Sequence, residues 1–175
     1  KGIKMIVCCG EALIDMIPHK DSEGGQSLKP HAGGAVFNTA IALGRLGVKS
    51  KFLSGISTDL FGKILLNELH DSNVETDLLV RSDRPTTLAF VDLADGQATY
   101  VFYDENTAGR MLDPKSLPTI PNATKAMYFG GISLINDPAA DFYVALAIRE
   151  SQQRIIVADP NVRANFILDE TRYRD

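Results

Sequence analysis

Five short stretches carry residues whose types and spacing could do chemistry. Gly33-Gly34 sits directly before a helical pattern, where the first N–H groups have no intrahelical partner and a bound molecule could approach the backbone, making a small polar pocket. Asn38, one turn further on, breaks an otherwise apolar helical face; it either ties down a neighbouring loop or faces that pocket. Asp15 stands alone between Ile14 and Met16 and points either to solvent or to a polar ligand. Phe102 and Tyr103 end a strand and lead into Asp104-Glu105-Asn106; on residue type the two aromatics are core residues. Asp159-Pro160-Asn161-Val162-Arg163 follows an apolar strand, at the carboxyl end where open α/β sheets place ligands. There, Asp159 could equally be a cap with Arg163 as its ionic partner.

Positioning these residues needs a regular scaffold, and the pattern supplies one. Ile3 to Cys9 and Arg154 to Ala158 are nearly unbroken apolar runs, as expected of strands covered on both faces in a parallel sheet. Lys51 to Ile56 and Lys125 to Phe129 read the same way, the latter closed by Gly130-Gly131. Val36, Phe37, Ala40, Ile41 and Leu43 form one buried stripe of a helix running from Ala35 to Leu46, with Gly47 as its C′ residue. Ser57-Thr58-Asp59 offers cap oxygens for a helix through Leu69, striped by Leu60, Ile64, Leu65 and Leu69. A third helix is expected to about Ser151, capped by Asn136 or Asp137 with Pro138 in its first position.

Between these units the pattern changes. Leu13 to Ile17 is a short apolar segment, and His19 to Pro30 is a polar loop or hairpin with Gly24-Gly25 at its tip. Val74 to Val80, Thr86 to Leu93 and Ala98 to Tyr103 read as strands, the last two joined by an Asp95-Gly96 turn. Antiparallel strands inserted into an α/β pattern suggest a small sheet standing off the main one.

Composition narrows the function classes. The 175 residues are 45% hydrophobic, enough for a real core. Eighteen basic against 22 acidic residues give a net charge of −4 without a Lys/Arg cluster, which argues against nucleic acid as a partner. No apolar run approaches the roughly 18 residues that span a bilayer, so no membrane association and a cytoplasmic location are expected. Cys8 and Cys9 are adjacent in an apolar strand with side chains on opposite faces, and read as buried thiols rather than disulfide or zinc ligands.

GGAVFNTAIALGRLG followed by FLSGISTDLFG resembles the first signature of the ribokinase-like (PfkB) carbohydrate kinases, and CCGEALIDMIP resembles their first strand and sugar-contacting turn. With RPTTLAFVDLADGQATYVFYDENTAGRM and ADPNVRAN, the likeness is greatest to the bacterial fructokinase branch. It implies a three-layer α/β/α fold, with a mostly parallel central sheet and a small β-sheet lid from strands around 12–33 and 74–104. Residues 1–175 would be the N-terminal part of one such domain. The implied reaction is transfer of the γ-phosphoryl group of ATP, with Mg²⁺, to a hydroxyl of a neutral sugar, fructose first. A nucleoside or another neutral hexose is the alternative substrate, and a non-catalytic sugar-binding module the alternative function.

By the same resemblance, Asp15, Gly33, Gly34, Asn38, Phe102, Asp104 and Arg163 would contact the sugar and Asn161 would lie near the phosphates. Asp104 stands where relatives acting on keto-sugar acids carry an arginine, and a carboxylate there favours hydroxyls over acids. The family's Gly-Ala-Gly-Asp turn and Asn-x-x-Glu metal motif do not occur in these residues, nor does a GxxxxGK[ST] loop. The catalytic base and the nucleotide and metal sites are therefore expected beyond Asp175, in a protein about twice this length. An exposed apolar edge beside Ile155, Ile156 and Val157 would fit that expectation, and a homodimer through the lid is a further possibility.

Overall fold

A computed structural model describes residues 5–20, 22–94, 97–162, 166, 167 and 169–174. Five parallel strands form the central sheet: β1 (Ile6–Gly10), β4 (Ser50–Leu53), β6 (Val74–Glu75), β10 (Ala126–Gly130) and β11 (Ile155–Asp159). Their spatial order is β11-β10-β1-β4-β6, with parallel register throughout.

β1 and β4 are buried on both faces because helices cover each side, whereas β11, at the edge of the sheet, is largely exposed. Cys8 faces a cluster that includes Val36, Phe37 and Ala40 of α1 (Ala35–Arg45) and Leu65 and Leu69 of α2 (Leu60–Asp71). Cys9 faces the opposite cluster, with Phe142, Tyr143 and Leu146 of α3 (Ala139–Glu150) and with Leu112 and Ile120 from the long connection after residue 104. Both thiols are fully buried, and burial pushes the Cys8 thiol up to about 12. A short helix, α4 (Glu170–Arg174), follows β11.

A second sheet has the order β3-β2-β8-β9, from β2 (Leu13–Lys20), β3 (Gln26–Gly33), β8 (Leu88–Ala94) and β9 (Gln97–Tyr103). β2 pairs antiparallel with β3 but parallel with β8, and β8 pairs antiparallel with β9. The polar stretch read as a loop or hairpin is thus mostly strand, turning at Gly24 with φ 82°. Ala94 lies opposite Gln97, while the expected Asp95-Gly96 turn falls outside the described residues.

Two strand readings are corrected. The run Val74 to Val80 is not one lid strand: Val74–Glu75 extends the central sheet beside β4, whereas β7 (Val80–Ser82) pairs with β5 (Gly55–Ser57) in a separate parallel pair. Lys51 to Ile56 is divided in the same way, between β4 and β5. Lys51 explains the first break, since its buried ammonium holds both Glu75 and Asp77 at the end of β6 and turns the chain there.

Helix ends follow their residues with one exception. Gly47, at φ 77°, closes α1, and Asp59 caps α2 through Gly62 N at 2.7 Å. Leu60, read as part of the α2 stripe, is 70% exposed because it occupies the helix's first position, ahead of the buried face. At α3 neither expected cap operates: Pro138 takes the cap position, with no side-chain bond. The Asn136 amide is used at Asp104 instead, and the Asp137 carboxylate pairs with Arg172.

Candidate functional site

The carboxyl ends of three parallel strands are in register, with Gly10, Gly130 and Asp159 side by side. A Cβ on Gly10 would lie 2.5 Å from Val36, and one on Gly130 would collide with the Asp159 carbonyl, so glycine lets the strand ends and α1 close together. The segments that leave this row build the site.

Glu11 leaves β1 and turns inward. It is 7% exposed, and its Oε1 accepts from Ala35 N at 2.7 Å and Val36 N at 3.3 Å, the first N–H groups of α1. The polar pocket expected at Gly33-Gly34 is therefore not open: this chain's own carboxylate fills it, taking the orphan donors and the positive end of the helix dipole. Gly34, at φ 112°, is needed for the approach, since a Cβ would sit 2.9 Å from the Glu11 carbonyl. Gly131, at φ 72°, clears the other side, where a Cβ would overlap both carboxylate oxygens. Glu11 Oε2 has no hydrogen-bond partner among the described residues. Burial raises the Glu11 carboxyl above its usual range, opposed by its own N–H and those of Val36, Ala35 and Ser133.

Asp15 projects from β2 opposite His31 and is half-buried. Its Oδ2 lies over Gly33, where any Cβ would collide with it, so Gly33 is the residue that admits Asp15. No hydrogen bond to Asp15 comes from the described residues, His31 acting on it only through its charge, which leaves the carboxylate available to an incoming donor. Burial raises its pKa, against a smaller opposing effect of His31.

A cavity of about 660 Å³ opens between β9 and the turn after β10. One wall is aromatic. Phe102 stacks on Tyr100 at 6.1 Å and meets Phe166 edge-on at 4.9 Å, while Tyr103, 61% exposed, leans edge-on against Phe90. The opposite wall is polar. Asp104 Oδ1 accepts from Arg110 Nη1 at 3.3 Å, and Oδ2 accepts from Asn136 Nδ2 at 2.9 Å. Arg110 Nε also donates to the Asp137 carbonyl at 3.0 Å. A small cavity of about 20 Å³, room for one water, touches Glu11 as well as Asp104, Arg110 and Asn136.

The root of the second sheet is pinned beside this wall. Asp59 accepts from Thr86 N at 2.9 Å and from the Thr86 hydroxyl at 2.7 Å. The Thr87 hydroxyl donates to that of Thr107 at 2.9 Å, tying the start of β8 to the segment that follows β9. Although burial pushes the Asp59 carboxyl up, the bonds from Gly62, Thr86 and Ser57 outweigh it and hold it below the usual range.

The structure thus joins Phe102 and Asp104 in one cavity and sets Asp15 over Gly33, with Gly34 against Glu11. Asn38 is exposed, its backbone N–H closing the first turn on Gly34 O at 2.9 Å, and it lines none of these cavities. Asn161, at φ 46°, donates its N–H to Asp159 Oδ1 at 3.1 Å and stands apart from them too. Arg163 lies outside the described residues. Both Asp104 oxygens accept a bond within the chain, and Asn136, expected as a helix cap, supplies one of them. Sequence reading passed over Glu11 and Arg110. The signals were a lone carboxylate at the end of a fully apolar strand and an arginine six residues after Asp104.

A parallel sheet between helical layers, with a small sheet over the strand ends, defines an α/β protein of the ribokinase-like class, and the chain belongs to the pfkB family carbohydrate kinases, whose model matches residues 3–174. It is 52% identical over 166 residues to a fructokinase of Rhizobium leguminosarum bv. trifolii, covering 95% of this chain and 51% of that protein. Among solved structures it is similar to the fructokinase of Xylella fastidiosa with bound ATP (27% identical, TM-score 0.87, 97% of this chain and 57% of that one). It is also similar to an uncharacterized sugar kinase of Pyrococcus horikoshii in complex with ATP (28% identical, TM-score 0.77, 92% and 54%). The chain spans about half the length of the relatives it matches.

Proposed function

We propose that the protein containing this chain transfers the γ-phosphoryl group of ATP to a hydroxyl of a neutral sugar, fructose above all, and that residues 1–175 form its sugar-holding part. The observation that carries this reading is the 660 Å³ cavity, with an aromatic wall at Phe102 and a polar wall at Asp104, Arg110 and Asn136. Such a pairing suits a sugar, whose C–H faces lie on aromatic rings while its hydroxyls need fixed donors and acceptors. The fructokinase relative at 52% identity supports the choice of sugar.

On this reading Asp15 accepts from a sugar hydroxyl and Gly33 keeps its carboxylate in place. Asn38 and Arg163 remain proposed sugar contacts and Asn161 a residue near the phosphates, on the family resemblance alone. Phosphoryl transfer depends on positioning, charge stabilisation and a base for the hydroxyl proton. Among the described residues no group of three His, Cys, Asp or Glu is arranged to hold a metal ion, and the Mg²⁺ that accompanies ATP is proposed to bind mainly outside this chain. The base and the nucleotide contacts are proposed to lie beyond Asp175. No helix among the described residues is long and apolar enough to cross a membrane.

A panel of fructose, glucose, other neutral hexoses and adenosine, offered with ATP and Mg²⁺ to the full-length protein, tests the proposal. Highest kcat/KM on fructose is expected. Preference for a nucleoside would overturn the substrate, and no turnover of any of them would overturn the activity.

A further inference from the structure

Behind the polar wall of the larger cavity, one buried oxygen is left without a donor. Glu11 is 7% exposed, and its two carboxylate oxygens are served unequally. Oε1 takes the Ala35 and Val36 N–H groups, whereas Oε2 has no hydrogen-bond partner among the described residues. A carboxylate oxygen cut off from every donor is costly, and folded proteins satisfy nearly all such groups, with ordered water where no side chain reaches.

The cavity of about 20 Å³ that Glu11 lines has the size and the chemistry to supply that donor. Its volume admits a single water, and Thr87, Arg110 and Asn136 share the lining with Glu11. A water that donates to Oε2 finds further partners among them. Arg110 Nη2 and the second Asn136 amide hydrogen are unused among the described residues, and the Thr87 hydroxyl, which donates to Thr107, can still accept. The guanidinium in the same lining makes the space unfavourable to a metal cation.

Asp104, Arg110, Ile132 and Asn136 line both this cavity and the one of about 660 Å³, so whatever fixes them on one side shapes the wall on the other. They sit on the segment after β9 and the turn after β10, while Glu11 is anchored on the first turn of α1. We propose that the small cavity is a site for one internal water, and that through this water Glu11 acts as a positioning residue for Arg110 and Asn136 at the sugar. The water site stands on Glu11 and its cavity alone; the positioning role rests on the reading of the larger cavity as the sugar site. Gly109 gives a way to separate the two bonds of Glu11. It lines the small cavity, and a Cβ there would meet only Thr87 Oγ1 at 3.5 Å and the Gly55 carbonyl at 3.7 Å, both ordinary contacts. Gly109→Ala thus adds a methyl group beside the water and leaves the bonds from Glu11 to α1 in place.

Crystal structures of the full-length protein, together with kcat and KM for fructose, are determined for wild type, Gly109→Ala and Glu11→Gln. Wild type is expected to show an ordered water within hydrogen-bond distance of Glu11 Oε2 and of the Arg110, Asn136 or Thr87 side chain. Gly109→Ala is expected to expel it and to raise KM about fivefold, the size of one neutral hydrogen bond, with kcat changed less and amide exchange at Ala35 and Val36 unaltered. Glu11→Gln keeps an oxygen for α1 and a polar group for the water, and should retain both the water and the wild-type KM. Thr87→Val, which removes one polar partner of the water, takes the place of Gly109→Ala should that variant fail to fold. No water beside Oε2 in wild type, or a KM that does not follow the water across the variants, overturns the inference. Wild type that does not act on fructose contradicts the sugar-site reading instead, and its crystal structure still decides whether the water site exists.

Discussion

Asp15 and Gly33 make a pair in which one residue exists for the other. The carboxylate is half-buried without a donor among the described residues, and any side chain at Gly33 would occupy its place. If Asp15 holds a sugar hydroxyl, Asp15→Ala in the full-length protein should lower kcat/KM for fructose by about 100-fold, equivalent to roughly 2.7 kcal/mol and within the range of a hydrogen bond to a charged group. Gly33→Ala should act through the same carboxylate, so the double variant should be little worse than Asp15→Ala alone. Steady-state kinetics of the three variants check this, and independent, multiplying losses would show that the two residues do not work together.

Two other carboxylates should report on stability with opposite pH signatures. Asp59 has a folded pKa below 3.8, so its contribution is complete above that pH and is lost as pH falls through the folded value. Asp59→Ala removes the α2 cap and the Thr86 anchor, which should cost about 1–2 kcal/mol at neutral pH, with the difference from wild type closing below pH 3.8. Glu11 has a folded pKa above 4.5, so its protonated form is favoured and stability is lost as pH rises through the folded value. Any deficit of Glu11→Gln should therefore be largest below pH 4.5 and shrink as pH rises, as measured by denaturant titrations across pH.

At the scale of elements, what could be read from sequence was what depends on local pattern. The α1 stripe of Val36, Phe37, Ala40 and Ile41, the Gly47 stop and the Asp59 cap are set by neighbours within a turn, and all three hold. Apolar strands with Cys8 and Cys9 facing opposite layers follow from burial on both faces, and they hold as well. Ile155 and Val157, expected beside an apolar edge, are 62% and 45% exposed on β11, which ends the sheet.

The readings that failed depended on distant partners. Val74 to Val80 looks like a single strand until Lys51, a neighbour only in space, draws in Glu75 and Asp77. The open pocket at Gly33-Gly34 closes because Glu11, 24 residues before Ala35, reaches its N–H groups. Asn136 has a favourable residue type for a cap, yet its amide lies against Asp104, 32 residues away. Local sequence names the groups that could bond, while topology selects which of them do.

At the scale of the whole molecule, the fold gathers these residues by aligning strand ends. Gly10, Gly130 and Asp159 stand in one row, and the chain leaving them supplies Glu11 and the turn bearing Ile132 and Asn136. The second sheet brings Phe102 and Asp104 over that row, with its root fixed by Asp59, Thr86, Thr87 and Thr107. The second sheet so anchored sets an aromatic wall opposite a charged one.

Whether this arrangement holds a neutral sugar for phosphorylation, as proposed, is decided by ³¹P NMR of the full-length protein with ATP, Mg²⁺ and fructose. Loss of the ATP γ-phosphate signal and growth of a sugar phosphate monoester are expected, dependent on fructose and strongly reduced in Asp15→Ala. Inorganic phosphate as the sole product, or ester formation unaffected by Asp15→Ala, would contradict it.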